Sequence, residues 1–290
     1  MADIPLGNLD RETTRRATSI PEPAAVDVRP VLETYGLCVR SGRRLLLRDI
    51  DLVIEPNRVL GVIGPSGVGK STLLRCLNRM NDLVPGLVVD GDVLWHGRSI
   101  HDRGLDPDAL RARIGMIFQQ PVIFPGSILD NVVFGARRVN GLKRRRWHQR
   151  AEQVLRQVFL WEEVQDRLAH PATELSVGQQ QRLCLARTLA LEPEVVLMDE
   201  PTSALDARST EAIEQLILDL SQRCAVVLVT HDLSQARRVC DALACLCLCH
   251  GVGQLMEQAG CAELFDNPDC RAVADRLDAA HPPPNAAAAD

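Results

Sequence analysis

The segment from Gly64 to Ser71 has the residue types and spacing of a loop that binds phosphate. Its sequence, GPSGVGKS, follows the apolar stretch Val59–Ile63 and opens a predicted helix. Glycines let the backbone turn so that successive N–H groups point at phosphate oxygens, and the helix dipole adds positive potential there. Lys70 would reach the β- and γ-phosphates, and the Ser71 hydroxyl would bind Mg²⁺. The alternative, a glycine-rich turn before an unrelated helix, is disfavoured because the strand and the helix both flank the motif. We expect nucleotide contacts from Gly64, Pro65, Ser66, Gly67, Val68, Gly69, Lys70, Ser71 and Thr72.

Two adjacent carboxylates form the second candidate group. Asp199 and Glu200 end the apolar run that starts at Val195, which is typical of a buried strand. Open α/β sheets bind ligands at the carboxyl ends of their strands. Asp199 would bind Mg²⁺, and Glu200 would act as the general base that polarises an attacking water. Such a pair can be purely structural, but its place downstream of a phosphate loop favours catalysis.

A histidine and a serine complete the chemistry-bearing residues. The β-branched run Ala225–Val229 leads to His231, which we assign a catalytic role because it falls on the same strand edge as the loop and the carboxylates. A histidine at a strand end is more often a satisfied polar residue. Ser176 precedes a helix with an apolar period, so its hydroxyl and the N–H groups of the helix start lie where an anion would bind.

The elements that must position these residues alternate along the chain. Strands interleaved with helices predict an α/β fold with a mainly parallel sheet covered on both faces. Residues from about 121 to 171 carry helical patterns without a strong strand signal, which predicts an inserted α-helical subdomain. Residues 1–29 and 279–290 lack a sustained apolar period, so we expect two disordered ends.

Composition excludes several classes of protein. The chain has 290 residues, 33 basic and 38 acidic side chains and a formal charge of -5, which disfavours a nucleic-acid binder. No apolar run approaches the ~18 residues of a membrane helix, and the N-terminus lacks the pattern of a secretory signal. We therefore expect a cytosolic protein whose ten cysteines are thiols.

Five motifs in order carry a family resemblance. GPSGVGKS, FQQP, LSVGQQQRL, VVLMDEPTSALD and VTHD together resemble the ATP-binding subunits of ABC transporters, over roughly residues 31–268. The resemblance implies a P-loop NTPase fold with an antiparallel β subdomain, an ATPase domain spanning 30–278, and ATP and Mg²⁺ as cofactors.

The resemblance also assigns roles and partners. Gln119 would contact Mg²⁺ and report to the membrane partner, and His231 would lie near the γ-phosphate. Two ATPase subunits would close head to tail as a homodimer, so that Ser176, Gly178 and Gln179 of one chain complete the site on the other. Two transmembrane permease subunits and, indirectly, a periplasmic solute-binding protein would be the further partners, at the cytoplasmic face of the inner membrane.

Within the family, the segment from Cys76 to Gly86, which contains NRMNDLVPG, is most similar to the ATPases of phosphate importers. The resemblance implies phosphate as cargo; no argument from spacing or composition does. Two alternatives stay open: the same machine with another cargo, such as an amino acid or another oxyanion, and a soluble ABC ATPase that acts on DNA or ribosomes. The second fits badly because the chain has one phosphate loop and only about 55 residues between Gln119 and Leu175.

The sequence departs from the family pattern in places. Val177 stands where the family usually has glycine, and a β-branched residue tolerates a positive φ poorly. The aromatic residue that commonly stacks on adenine aligns with Ser41, beside Arg40, and Tyr35 lies six residues too early. We expect adenine to be held mostly through its phosphates.

Two further features have no role in these motifs. Arg137 to Trp147 contains the densest basic segment of the chain, interpreted as a solvated helix start or as a contact to lipid headgroups or an acidic partner. Cys245, Cys247 and Cys249 alternate, so a strand would place all three on one side; we interpret them as buried hydrophobes in preference to a soft-metal site.

Overall fold

A computed structural model describes residues 29–203 and 205–266. Apolar, β-branched runs form the strands, and the described part of the chain joins ten of them into one sheet in the order β5-β4-β1-β2-β10-β9-β3-β8-β7-β6. The strands are β1 (Leu32–Ser41), β2 (Arg44–Ile54), β3 (Val59–Ile63), β4 (Leu87–Trp95), β5 (Arg98–Ser99), β6 (Ile114–Ile117), β7 (Val195–Asp199), β8 (Ala225–Val229), β9 (Ala242–Cys249) and β10 (Val252–Gly260).

The sheet has two parts that differ in strand direction. Strands β9, β3, β8, β7 and β6 pair in parallel, so their carboxyl ends share one edge. Strands β1, β2, β4 and β5 form an antiparallel part, joined to the parallel part through the β9–β10 hairpin and a single parallel pairing of β10 with β2. This arrangement confirms the predicted fold class.

Side-chain alternation along the parallel strands divides the interior into two cores. In β7, Val196 and Met198 face one core and Val195 and Leu197 face the other, and all four are fully buried. The first core also holds the apolar faces of the helices that follow β6 and β8, whereas the second holds the first helix and the antiparallel strands. A strand that is buried on both faces needs apolar residues at consecutive positions, and these continuous apolar runs predicted the strands from the sequence.

The helices cover both faces of the sheet. They are α1 (Lys70–Leu77), α2 (Pro107–Arg113), α3 (Ile128–Arg138), α4 (Trp147–Gln157), α5 (Trp161–Val164), α6 (Val177–Leu189), α7 (Ala207–Ser221), α8 (Leu233–Val239) and α9 (Cys261–Asp266). Helix α1 ends at Leu77, because Arg79 has φ 62° and the Asn78 side chain accepts the N–H of Met80.

Helices α3, α4 and α5 form a lobe whose two ends meet. Ser127 bridges to Pro171, and the N–H of Ala172 donates to the carbonyl of Gly126 at 3.1 Å. Helix α3 starts with a capping box, in which Ser127 and Asp130 each bind the other's backbone N–H. The first and last residues of the lobe therefore lie next to each other, and its buried residues pack in the first core. The bounds 121–171 remain our prediction.

The predicted disordered ends lie outside the described residues, apart from residue 29. Within 29–203 and 205–266, no helix has the length and apolar character needed to cross a bilayer.

Candidate nucleotide-binding site

The phosphate loop joins the fully buried strand β3 to helix α1 at the carboxyl edge of the sheet. Gly69 has φ +109°, and a Cβ there would lie 2.6 Å from Leu47 Cδ2, so both backbone conformation and space require glycine. Lys70 is 7% exposed, and its ammonium donates to the carbonyl oxygens of Gly64 (2.8 Å) and Pro65 (3.2 Å). Burial lowers the pKa of Lys70, while Glu200 and Asp199 act in the opposite direction. A buried cation is thus held inside the loop that the sequence assigned to phosphate.

Ser71 and Asp199 lie together at the same edge. The Ser71 hydroxyl donates to Asp199 Oδ1 at 3.0 Å, which joins the start of α1 to the end of β7. Asp199 is 6% exposed, and burial raises its pKa, as does the neighbouring charge of Glu200. A hydroxyl and a buried carboxylate are hard oxygen donors, the type that Mg²⁺ prefers. The residues present therefore fit a magnesium ion, whose charge would offset that of the two carboxylates.

Two predicted residues, Gln119 and His231, contact one carboxylate oxygen of a third, Glu200. Glu200 Oε2 lies 3.0 Å from Gln119 Nε2 and 3.3 Å from His231 Nδ1. Gln119 follows β6, Glu200 follows β7 and His231 follows β8, so adjacent parallel strands bring them together. Gln119 also donates to Ser203 Oγ at 3.4 Å. In the part of the chain that the structure describes, Gln119 binds Glu200 and not the Ser71–Asp199 pair, so its contact with a metal remains a prediction.

The backbone at Glu200 is unusual. Its φ is 45°, a left-handed conformation that a non-glycine residue adopts at a cost. Its N–H donates to the Val229 carbonyl at 3.0 Å, and its own carbonyl accepts from the Ser203 hydroxyl at 3.1 Å. Hydrogen bonds with Val229 and Ser203 therefore hold the backbone of Glu200 in this conformation. Strain of this kind concentrates at functional sites.

Helix α6 begins with a complete capping box. Ser176 Oγ accepts the N–H of Gln179 at 3.3 Å, and Gln179 Oε1 accepts the N–H of Ser176 at 3.0 Å. The N–H groups of Val177 and Gly178 have no hydrogen-bond partner among the residues that the structure describes. Two backbone donors at a positive helix terminus are thus available to an anion.

A residue of the helical lobe holds this helix start. Glu163, on α5, accepts from Gln179 Nε2 at 2.7 Å and from Arg182 Nη1 at 2.7 Å. Arg182 also donates to the carbonyl of Phe159 at 2.6 Å. Burial opposes the charge of Glu163, but the hydrogen bonds from Arg182 and Gln179 lower its pKa. Sequence reasoning missed Glu163, because no motif marks a carboxylate 14 residues before the start of the helix that it anchors.

The departures from the family pattern have definite positions. Val177 is the first residue of α6, is 49% exposed and has no positive φ, so its N–H can donate despite the β-branched side chain. Arg40 pairs with Asp90 at 2.7 Å across the antiparallel strands. Tyr35 lies on β1, and its hydroxyl donates to Glu33 at 2.8 Å. Both Arg40 and Tyr35 are thus engaged within the antiparallel part of the sheet.

The three alternating cysteines lie on β9 and share a face, as predicted. Cys245 is fully buried, and Cys247 and Cys249 have Sγ atoms 3.4 Å apart. Across the two described ranges, no group of three or more His, Cys, Asp or Glu side chains could hold a metal ion.

The structure separates the predicted site residues into two groups. The phosphate loop, Asp199, Glu200, Gln119 and His231 meet at the carboxyl edge of the parallel strands. Ser176, Gly178 and Gln179 lie at the start of α6, where the described hydrogen bonds of Ser176 and Gln179 run to each other and to Glu163 of the helical lobe. Ser203, which contacts both Gln119 and Glu200, was not predicted as a site residue, although it lies in the motif that follows Glu200.

Comparison with known proteins identifies relatives over most of the chain. The family model described as "ABC transporter" matches residues 47–203. A phosphate import ATP-binding protein, PstB 1, of Synechococcus sp. (strain JA-3-3Ab) is 50% identical over 213 residues, which cover 73% of this chain and 77% of the relative. The phosphate import ATP-binding protein PstB of Shewanella denitrificans is 47% identical over 247 residues, or 85% of this chain and 89% of the relative.

Solved structures agree on the fold. CbiO1 of Clostridium perfringens, part of an ABC transporter complex, matches with a TM-score of 0.69 and 25% identity, over 88% of this chain and 96% of that protein. A bacterial Atm1-family ABC exporter with ATP bound matches with a TM-score of 0.72 and 24% identity, over 93% of this chain and 45% of the exporter chain. With the family match over more than half of its length and relatives near 50% identity, the chain belongs to the ABC transporter ATP-binding family.

Proposed function

We propose that the chain is the ATP-hydrolysing subunit of an ABC importer that energises the uptake of inorganic phosphate. One observation carries the hydrolytic part: Gln119 and His231 both contact one oxygen of Glu200, at 3.0 and 3.3 Å, beside the loop that holds Lys70. The cargo is supported by two relatives at 47–50% identity, both of which are phosphate import ATP-binding proteins.

The phosphate loop would bind the nucleotide. Backbone N–H groups from Gly64 to Thr72 and the positive end of α1 would face the phosphate oxygens. Lys70 would exchange its loop carbonyl partners for the β- and γ-phosphates, since an ammonium binds phosphate oxygens more strongly than neutral carbonyls. Ser71 and Asp199, with Gln119 as a further ligand, would hold Mg²⁺, which neutralises charge on the phosphates when bound.

Glu200 would act on the attacking water. Its carboxylate would accept a proton from that water. The backbone of Glu200 has a left-handed conformation, with φ 45°. His231 and Gln119 contact one oxygen of the carboxylate. They would orient the carboxylate and the γ-phosphate relative to the attacking water. Because Gln119 leads into the segment before the helical lobe, it is placed to couple the state of the nucleotide to the lobe and to the membrane partners.

A second copy of the chain would complete each site. The N–H groups of Val177 and Gly178 and the hydroxyl of Ser176 would bind the γ-phosphate held by the partner's loop, in a head-to-tail homodimer. Closure and reopening of this dimer would move two transmembrane permease subunits supplied with cargo by a periplasmic binding protein. The subunit would therefore be peripheral, at the cytoplasmic face of the cell membrane.

Uptake of ³²P-labelled phosphate by a strain that lacks the chain tests this proposal. We expect the wild-type gene to restore uptake and Glu200→Gln to leave it at the level of the deletion strain. The purified Glu200→Gln protein should still bind ATP, which shows that the failure lies in hydrolysis.

The outcome separates cargo from chemistry. Wild-type protein that hydrolyses ATP but restores uptake of a labelled amino acid or of another oxyanion, and not of phosphate, would keep the ATPase and overturn the cargo. Equal rescue by wild type and Glu200→Gln would overturn the proposed role of ATP hydrolysis in uptake.

A further inference from the structure

Residues 137–146 form a concentrated positive surface on an otherwise acidic protein, and we name them the basic ridge. The segment RRVNGLKRRR contains six cations and no acid, whereas the whole chain carries a formal charge of -5. It spans the end of α3 and the turn that leads into α4, and it contains no residue of the candidate nucleotide site. Neither nucleotide binding nor hydrolysis uses it.

Most cations of the ridge have no acidic partner. Arg137 lies 3.7 Å from Asp130, and the other five form no ion pair within residues 29–203 and 205–266. Arg182 and Arg238, by comparison, each bind a carboxylate at 2.7 Å. Because like charges this close repel one another, a surface of this kind favours an anionic partner.

Aromatic rings organise the cations. The guanidinium of Arg138 lies 4.5 Å from the ring centre of Phe134, and those of Arg137 and Arg144 lie 5.7 and 5.9 Å from the ring centre of Trp147. The Trp147 indole N–H donates to the Leu142 carbonyl at 3.0 Å, which fixes the ring in the turn. Such cation–π contacts position the charges before any partner arrives.

The ridge also exposes an apolar side chain at its centre. Val139 is 46% exposed and lies between Arg138 and the cations of the following turn. An apolar tip, a tryptophan and a surrounding group of Lys and Arg side chains are the combination that favours the boundary between lipid headgroups and acyl chains. Nucleic acid or a purely acidic peptide, such as polyglutamate, would use the charges but leave Val139 in water.

We propose that the basic ridge binds the surface of a bilayer that contains anionic phospholipids. The arginines and lysine bind headgroup phosphates, and Val139 enters the edge of the apolar layer. This inference goes beyond the proposed function, since ATP hydrolysis and the cargo could be as proposed whether or not the chain touches lipid directly.

Vesicle co-sedimentation of the purified full chain tests the proposal. We expect binding to phosphatidylcholine vesicles that contain phosphatidylglycerol, weaker binding to pure phosphatidylcholine, and loss of binding as salt concentration rises. The triple variant Arg144→Gln, Arg145→Gln, Arg146→Gln should weaken the affinity by about tenfold or more. The matched control, Arg98→Gln, Arg103→Gln, Arg223→Gln, removes the same charge from exposed positions elsewhere and should bind vesicles like the wild type.

Two further measurements decide between partners. Both triple variants should hydrolyse ATP at the wild-type rate, which shows that they are folded. Val139→Ser should weaken vesicle binding while leaving binding to polyglutamate or to duplex DNA unchanged. The proposal is overturned if the ridge variant sediments with vesicles as well as the control does, or if the ridge binds polyglutamate or DNA more tightly than anionic vesicles.

Discussion

The carboxyl edge of the parallel strands and the start of α6 carry the two halves of the candidate site, and they are built differently. At the carboxyl edge, Lys70 binds carbonyls of its own loop, and buried strands place Asp199 and Glu200 in direct contact with Ser71 and Gln119 from other segments of the same chain. At α6, the cap is satisfied locally, and the N–H groups of Val177 and Gly178 remain available. The first half is preassembled within one chain, whereas the second is presented outward.

Because one half is preassembled and the other is presented outward, the two halves differ in how they can be regulated. In a preassembled half, little has to move when the nucleotide arrives beyond the exchange of the hydrogen-bond partners of Lys70. In the proposed dimer, the α6 half would act only when one chain brings its α6 donors to the nucleotide held by the other. Within each chain, Glu163 of the helical lobe holds the start of α6. Movement of the lobe would therefore change the second half without disturbing the first.

Mixing two inactive chains is the strongest test of this division. Lys70→Ala damages the carboxyl-edge half and Ser176→Arg damages the α6 half, so each alone should lose at least about 10²-fold in turnover. Random pairing makes about half of the dimers mixed, each with one intact site, and should restore about a quarter of the wild-type rate. A steady-state ATPase assay of the mixture measures the recovery.

Mixtures of the same variant with itself provide the control, because they cannot form an intact site. Absence of any recovery in the mixed sample, with dimers present, would mean that each chain contains its whole site.

Glu163→Gln probes the anchor of the α6 half. Gln has the same shape but no charge, so it weakens two charge-assisted hydrogen bonds, and we expect turnover to fall about tenfold. ATP binding to the single chain should be unchanged, because the carboxyl-edge half is not touched. Fluorescent-nucleotide titration measures binding and a coupled-phosphate assay measures turnover.

Glu162→Gln is the matched control, since Glu162 lies on the same helix and pairs with Arg156. A similar loss of turnover in both variants, or weaker nucleotide binding in Glu163→Gln alone, would contradict the division.

Asp199→Asn separates stability from function at the carboxyl edge. Burial raises the pKa of Asp199 above 3.8, so its ionised form destabilises the nucleotide-free protein as the pH rises through the folded-state pKa. At pH 7 Asp199→Asn should therefore raise the melting temperature, because it removes a buried negative charge. The part of the pH dependence that comes from Asp199, a loss of stability as the pH rises through its folded-state pKa, should disappear. Differential scanning fluorimetry across pH measures both.

Asp166→Asn, at an exposed position of the lobe, should leave the melting temperature unchanged. A lower melting temperature in Asp199→Asn would show that its carboxylate stabilises the fold without nucleotide.

Val177→Gly is expected to have the smallest effect. Because Val177 is exposed and its φ is not positive, its N–H is already able to donate, and turnover should change by less than about twofold. A coupled-phosphate assay over a range of ATP concentrations measures this. A large rise in turnover would show that the valine side chain crowds the partner's phosphate.

Local patterns predicted the carboxyl edge better than they predicted α6. The phosphate loop and the two carboxylates are each recognisable within a few consecutive residues. A polar group that follows a parallel strand lies at the carboxyl edge of the sheet, so its position can be predicted from the strand alone. The end of α1 and the anchor at Glu163 depend on distant contacts, such as that of Asn78 with the Ile114 carbonyl. No window of neighbouring residues contains that information.

The amino-acid sequence by itself determined the fold class, the phosphate loop and the residues at the ends of β7 and β8, because apolar period and turn chemistry are local properties. Only the tertiary structure decided which atoms meet: Gln119 with Glu200, Ser71 with Asp199, and Glu163 with Gln179. Strand order and helix packing set those distances, and they arise from burying the parallel strands between two cores at once. Among the described residues, the same folding leaves the N–H groups of Val177 and Gly178 without a hydrogen-bond partner and five of the six cations of the basic ridge without an ion pair.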